Sequence, residues 1–409
     1  MFSLAFVQGV NYILPLVTIP YLVRVLGIDG FGLYSFVYSL TQYFVYFTDY
    51  GFNLSASRKV SINRDRPQIL AGIFSSVMIV KMVLFVLSSL VMILLVLSVG
   101  RFRADAVLFY VSLLSVAGNM LFPIWYYIGI EKTKYIALFN LISKLLSTAA
   151  IFVFIKAPGH LMWAVLIQSM GVIAAGLMSL MMIYCRWPVG VMVPPLKSVI
   201  KELRDGWNVF ITLMSSTLVN NTNIFILGVL TNNTTVGYYS VADKIVRAFI
   251  NLVSPVSVAI YPQVSRLINN RRDQGVKYLK KVLAWGTLAF GVLVGILAWG
   301  SGQFVRIVSG GYSDHIRGLI LIMAVLPLTI FWDNIYGTQV LINIGRTAQF
   351  MKAVLIPGLV SLLLSFVLVP IYKETATAAI FTASELMILI LMVYFSRKNG
   401  IFLVKQGIF

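Results

Sequence analysis

The chain has 409 residues, 59% of them hydrophobic and 11% charged, with a mean hydropathy of +0.92. Soluble domains carry about 25% charged residues, so this composition excludes one and indicates a polytopic membrane protein. The net charge of +19 does not imply nucleic acid, because the basic residues sit in short loops between apolar runs and no long soluble basic domain exists.

A bilayer-spanning helix needs about 20 residues, so the chain accommodates about twelve. The first is expected at 2–25, bent by Pro15 and Pro20, with Gln8, Asn11, Pro15 and Thr18 along one side and Arg24 off that face. No basic n-region precedes it, so it is expected to be retained as a helix. The second is expected at 31–50, followed by a polar connection at 57–67, a third span at 69–99, a turn at 100–105 and a fourth span at 106–128. The fifth, 135–155, and a sixth ending near 184 complete an N-terminal lobe, 1–184. The longest non-apolar connection, 185–206, reads as a cytoplasmic linker to a second lobe, 207–409. Span seven, 207–230, carries Ser216, Asn220 and Asn223 on one face. Span eight begins after 231–235 and ends near 262. The most basic loop, 266–281, precedes span nine at 282–305. Span ten, 319–341, carries Asp333, and after span eleven at 350–371 the twelfth, 376–395, carries Glu385.

Span eight holds a polar stripe. Ser240, Lys244, Arg247, Asn251 and Ser254 recur at i, i+4, i+7, i+11 and i+14, one face of a helix. The lead-in Gly237-Tyr-Tyr-Ser-Val echoes Gly32-Leu-Tyr-Ser-Phe, and the same spacing from there collects Ser35, Ser39, Gln42, Tyr46 and Asp49. Repeated motif, stripe and following basic segment indicate a duplication of the kind that builds transporters. The copies differ where Lys244 and Arg247 replace Ser39 and Gln42.

Orientation follows from Lys and Arg. With the N-terminus in the cytoplasm, 21 fall on the cytoplasmic side, 7 on the other, and Lys81, Lys144, Lys244 and Arg247 lie within spans. The bias predicts an even number of spans with both termini cytoplasmic.

A cation at the centre of a span costs about 2.5–3.5 kcal/mol on insertion scales, so the four are binding candidates. Snorkelling to an interface is the alternative for Lys81 and for Arg24, near a span end. Lys144 shares a face with Asn140 and Ser147, which suits a lumen, and Asp243 is placed to pair with Arg247 one turn on. A positively charged cavity suits an anionic ligand. Asp333 and Glu385 either bind a coupling proton or sodium ion, since a carboxylate out of water holds a proton more readily, or form salt bridges to the cations. His160 and His315 have no metal-site spacing, and the lone Cys185 excludes an intrachain disulfide or cysteine cluster. No phosphate-binding glycine loop or nucleophile elbow sits in a soluble context, and the short loops leave little room for a catalytic domain. Neither an enzyme nor a cofactor is expected.

Pro20-Tyr-Leu-Val-Arg-Val-Leu-Gly-Ile-Asp-Gly-Phe-Gly-Leu-Tyr-Ser35 resembles the opening signature of bacterial polysaccharide transporters, the O-antigen flippases, and Gly237-Tyr-Tyr-Ser-Val-Ala-Asp-Lys-Ile-Val-Arg247 resembles their eighth-helix signature. The resemblance implies an all-α integral membrane fold shared with multidrug and toxin extrusion (MATE) proteins, in two pseudo-symmetric six-helix lobes working by alternating access. It implies a substrate as well: an undecaprenyl-diphosphate-linked oligosaccharide turned from the cytoplasmic to the periplasmic leaflet of the bacterial inner membrane. Membrane lipids, polysaccharide polymerase and chain-length machinery are the implied partners. The residues agree, since a diphosphate needs cations within the membrane and a glycan needs hydrogen-bonding groups such as Asn11, Asn220 and Asn223. The alternatives are a MATE-type drug or cation exporter, a lipid II flippase, and, in another class, a membrane polysaccharide polymerase or ligase.

Overall fold

The computed structural model describes residues 2–187, 189–190, 192–311 and 313–403; at 2–13, 212–213, 215–221 and 269 it describes the backbone only. Among the described residues the regular secondary structure is helical, without strands. Nine helical stretches among them are long and apolar enough to cross a membrane. The chain divides into two compact units, Met1–Asn221 and Thr222–Phe409; the division falls inside a helix, within the seventh expected span.

The first unit holds α1 (Phe2–Asp49), α2 (Phe52–Ile62), α3 (Pro67–Ser98), α4 (Gly100–Arg103), α5 (Ala106–Leu121), α6 (Ile124–Gly129), α7 (Thr133–Phe154), α8 (Leu161–Arg186) and most of α9 (Leu196–Leu230). Between water and lipid, helices associate through close packing and small residues rather than through burial alone. The α5–α8 contact shows this: a Cβ on Gly118 would lie 2.6 Å from the Ile173 nitrogen, and one on Gly176 would lie 2.7 Å from the Gly118 oxygen. An aromatic cluster including Tyr50, Phe52, Phe74, Trp125 and Tyr127 fills one end. Tyr127 buries its hydroxyl there by donating to the Ser179 carbonyl at 2.7 Å. The ammonium of Lys59 on α2 bridges Glu202 and Asp205 of α9, at 2.8 Å each.

The second unit holds the rest of α9, α10 (Asn233–Ile250), α11 (Val253–Asn270), α12 (Arg272–Ser309), α13 (Asp314–Met323), α14 (Leu326–Asn334), a π-helical segment Ile335–Ile342 and α15 (Thr347–Lys398). Asn232 caps α10, its side-chain oxygen accepting the Thr235 N–H at 2.9 Å. Phe290 stacks on Phe331 with centroids 4.7 Å apart. That ring occupies the space where a Cβ on Gly286 would stand, 2.0 Å from its Cζ.

Several expected boundaries move, each for a local reason. The expected turns after 25 and 371 shrink to single residues, Gly27 (φ 73, ψ 173) and Lys373 (φ 50, ψ −129), so neighbouring expected spans run together as α1 and α15. Glycine enters positive φ without penalty, whereas Lys373 does so under strain. The polar connection at 57–67 is largely helical, because α2 extends to Ile62. The basic loop at 266–281 is also helical, interrupted at Arg271 alone. Conversely, proline splits three expected spans. Pro123, Pro255 and Pro327 cannot donate to the carbonyls four residues before them, and the helices break at Phe122–Pro123, Asn251–Leu252 and Ala324–Val325. The polar stripe is divided accordingly: Ser240, Lys244 and Arg247 lie on α10, while Asn251 falls at the break and Ser254 on α11.

Candidate functional site

Asp243 and Arg247 sit one turn apart on α10, and Arg247 Nε lies 2.8 Å from both carboxylate oxygens of Asp243. Asp243 is 1% exposed, while the Arg247 side chain is 34% exposed. The guanidinium carbon lies 5.6 Å from the centroid of the Phe381 ring on α15, a cation–π contact that helps hold the guanidinium plane. The Arg247 charge reaches Glu385, also on α15, and Glu385 in turn interacts with buried Asp333 on α14. Lys244, half-buried, lies in the field of both Asp243 and Arg247. Three helices thus place Asp243, Lys244, Arg247, Asp333 and Glu385 in one charged cluster within the second unit. Asn223 is buried on α9 beside Tyr239 of α10, at the margin of the same cluster.

The other expected site residues are not gathered there. Lys81 is 1% exposed on α3, its ammonium 2.8 Å from Asp49 Oδ1 and donating to the Asn119 carbonyl at 3.0 Å. Pro123 cannot donate to that carbonyl, which accepts the Phe122 N–H at 3.2 Å instead, and the lysine is its second donor. Arg24 is exposed on α1. Lys144 is exposed on α7, with Ser147 buried and Asn140 half-buried, so the shared polar face is split between two environments. The side chains of Asn11 and Asn220 lie outside the described residues.

Two features escaped the sequence reading. In the first unit a small polar pocket gathers Tyr34, Tyr38 and Gln42 of α1, Ser112 and Ser115 of α5, and Gln168 and Ser169 of α8. Ser115 and Ser169 hydroxyls lie 2.8 Å apart. Tyr34, Tyr38 and Thr41 repeat at helical spacing and adjoin the stripe containing Gln42, which is the signal that was available. In the second unit His315 of α13 pairs through Nε2 with Glu374, the residue following the backbone break in α15, and meets the ring of Tyr238 with centroids 4.9 Å apart. Among the described residues no group of three or more His, Cys, Asp or Glu side chains is placed to hold a metal ion.

The sequence profile of the family described as "Polysaccharide biosynthesis protein" matches residues 1–268. The "Putative O-antigen transporter" of Escherichia coli (strain K12) is 33% identical over 396 residues, covering 97% of this chain and 95% of its own length. The chain belongs to the polysaccharide biosynthesis protein family. A second member of similar description, from Shigella dysenteriae, is 25% identical over 389 residues, covering 94% of this chain and 96% of the relative. The fold of this family member is shared with solved transporters of low sequence identity. It matches "Lipid II flippase MurJ, inward closed conformation" with a TM-score of 0.76 over 97% of this chain and 88% of that one, at 14% identity. An inward-facing multidrug resistance MATE family transporter matches with a TM-score of 0.75 over 95% of this chain and 94% of that one, at 13% identity.

Proposed function

We propose that the protein is a flippase that turns an undecaprenyl-diphosphate-linked oligosaccharide, an O-antigen repeat unit, from the cytoplasmic to the periplasmic leaflet of the bacterial inner membrane. The observation that carries this reading is similarity to O-antigen transporters along nearly the whole chain. The charged cluster supports the head-group chemistry. Arg247 is oriented by Asp243 and Phe381 yet remains one-third exposed within apolar helices. A guanidinium held in this way suits phosphate oxygens, which it meets with two parallel charge-assisted hydrogen bonds, and Lys244 adds a second cation on the same helix.

Transport proceeds by alternating access with both termini in the cytoplasm, and the Asp333–Glu385 pair binds the coupling proton or sodium ion. MATE family transporters of this fold occur in inward-facing and outward-facing conformations, which supports the mechanism. The protein carries its cargo without chemically changing it and hands it to polysaccharide polymerase and chain-length machinery. Deletion of the gene should cause lipid-linked repeat units to accumulate on the cytoplasmic leaflet, with complementation restoring surface polysaccharide. Glycan transfer by the purified protein would replace this reading with a polymerase or ligase. The likeness to the lipid II flippase favours a second cargo, lipid II, and a leaflet assay with both lipids distinguishes the two.

A further inference from the structure

The first turns of α9, from Leu196 to Ile211, present three faces. One is docked on the first unit. There Lys59 bridges Glu202 and Asp205, Tyr50 stacks on Phe210 with centroids 4.6 Å apart, and a Cβ on Gly51 would lie 2.6 Å from Val209 Cγ1. These contacts fix the rotation of the helix about its own axis. A second face is apolar yet uncovered. Leu196, Ile200, Trp207 and Ile211 recur at i, i+4, i+11 and i+15 and are 72%, 54%, 53% and 45% exposed. Lys197, Lys201 and Arg204 form a third face along its edge, at i, i+4 and i+7, and all three are exposed. None of them makes an ion pair among the described residues. Asp205, which feels the charges of Lys201 and Arg204, is bridged by Lys59 instead. The helix has 35 residues, about 52 Å at a rise of 1.5 Å per residue. A hydrocarbon core is about 30 Å thick. The expected span 207–230 already fills that depth, so the turns before Trp207 stand at head-group level.

We infer that this side of α9 binds anionic phospholipid, with Lys197, Lys201 and Arg204 at the lipid phosphates and Leu196, Ile200 and Trp207 against the upper acyl chains. Three observations select that occupant. The cations border the apolar stripe along one edge, the arrangement of a helix that reads a negatively charged membrane surface. The stripe continues through Trp207 to Ile211, so it passes without a break into the span that the bilayer surrounds, and tryptophan is enriched at that level. A second copy of the chain, with its net charge of +19, offers the cations like charge rather than opposite. The inference is independent of the flippase reading, because it requires nothing of the cargo. Bound lipid holds the start of the seventh span at the membrane surface from the side opposite Lys59, and transport then depends on the anionic lipid content of the membrane.

The test places the full-length protein in nanodiscs of phosphatidylcholine and phosphatidylglycerol, with one of the two lipids brominated on its acyl chains. Fluorescence assigned to Trp207 by difference from Trp207→Phe should be quenched more by brominated phosphatidylglycerol than by brominated phosphatidylcholine at the same mole fraction. Removing one of the three cations should weaken the preference about fivefold, as expected for one charge near an anionic surface. Lys197→Gln, Lys201→Gln and Arg204→Gln together should abolish it while quenching by phosphatidylcholine persists. A second variant separates this face from total charge: Lys280→Gln with Lys281→Gln, exposed residues of α12, should leave the Trp207 preference unchanged. Thermal unfolding identifies the variants that fold, and single substitutions carry the test if the triple one does not. Equal quenching by the two lipids in the wild type, an undiminished preference in a folded triple variant, or the same loss in the α12 variant would overturn the inference. So would a Trp207 that neither lipid quenches because a partner protein or a second copy of the chain covers it.

Discussion

Replacing Lys81 with methionine tests whether a buried cation in this membrane protein serves the cargo or the fold. The substitution keeps length and apolar stem and removes only the ammonium. In the structure that ammonium is 2.8 Å from Asp49 and 3.0 Å from the Asn119 carbonyl, with the lysine 1% exposed and the Asp49 side chain 23% exposed. Removing one member of a fully buried pair costs about 3–5 kcal/mol. Partial access of Asp49 to solvent lowers this to about 2–4 kcal/mol, and the Asn119 carbonyl, which loses one of its two donors, keeps the Phe122 N–H. A change of about 3 kcal/mol corresponds to a Tm lower by about 6–12 °C for a unit of this size. Thermal unfolding of the purified protein followed by scanning fluorimetry reads it directly. The double variant Lys81→Met, Asp49→Asn removes the stranded carboxylate as well and should recover more than half of the loss. A phosphate-binding lysine would behave differently: Tm would hold, transport would fall, and Asp49→Asn would rescue nothing. An unchanged Tm in Lys81→Met, or a double variant no better than the single, would refute the structural assignment.

The charged cluster of the second unit makes its own predictions. Arg247→Lys keeps the charge without the planar fork, so complementation of a flippase-null strain should fall partway. Arg247→Ala combined with Asp243→Asn should reach the membrane at normal levels yet transport nothing, and full surface polysaccharide from that pair would remove Arg247 from the binding site. Asp333→Asn and Glu385→Gln should each abolish dependence of flipping on the ion gradient in proteoliposomes; unchanged dependence in both would leave the pair a structural contact. Hydrogen bonding to Lys59 holds the Asp205 carboxyl below the usual carboxylate range, with Lys201 and Arg204 adding to the effect. A depressed pKa contributes stability above the unfolded value and loses it as pH falls through the folded one. Wild type should therefore lose more Tm than Lys59→Met between pH 7 and about 3, and parallel profiles would show that the bridge carries no pH-dependent stability. Reporter fusions after Arg58, Arg204 and Arg272 should read cytoplasmic and those at Arg101 and Asn232 periplasmic; a periplasmic signal at Arg272 would overturn the charge count.

What could be read from the sequence was set by the distance over which each signal acts. Apolar runs and helix-face spacing are local, and they placed the helices and the Asp243–Arg247 pair, whose members are one turn apart. The convergence of Glu385 with Arg247 and Asp333 spans three helices separated by long stretches of chain, and no periodicity encodes it. Proline is read as a bend in the first span, where the departure from helical φ/ψ inside α1 falls at Gly27 instead, and its visible effect lies elsewhere. Pro255 divides the polar stripe, so a five-residue face is three residues on α10 and a remainder beyond it. Lys81, a charge that sequence reasoning offered to the cargo, has a structural role instead. It is buried against its counter-ion Asp49 at the end of α1, and beside the helix break at Pro123 it gives the Asn119 carbonyl, which also accepts the Phe122 N–H, a second donor. Lys244 and Arg247 stand where the earlier copy has Ser39 and Gln42, and Arg247, though paired with buried Asp243, keeps a third of its side chain exposed, so this face rather than Lys81 is the one offered to a ligand.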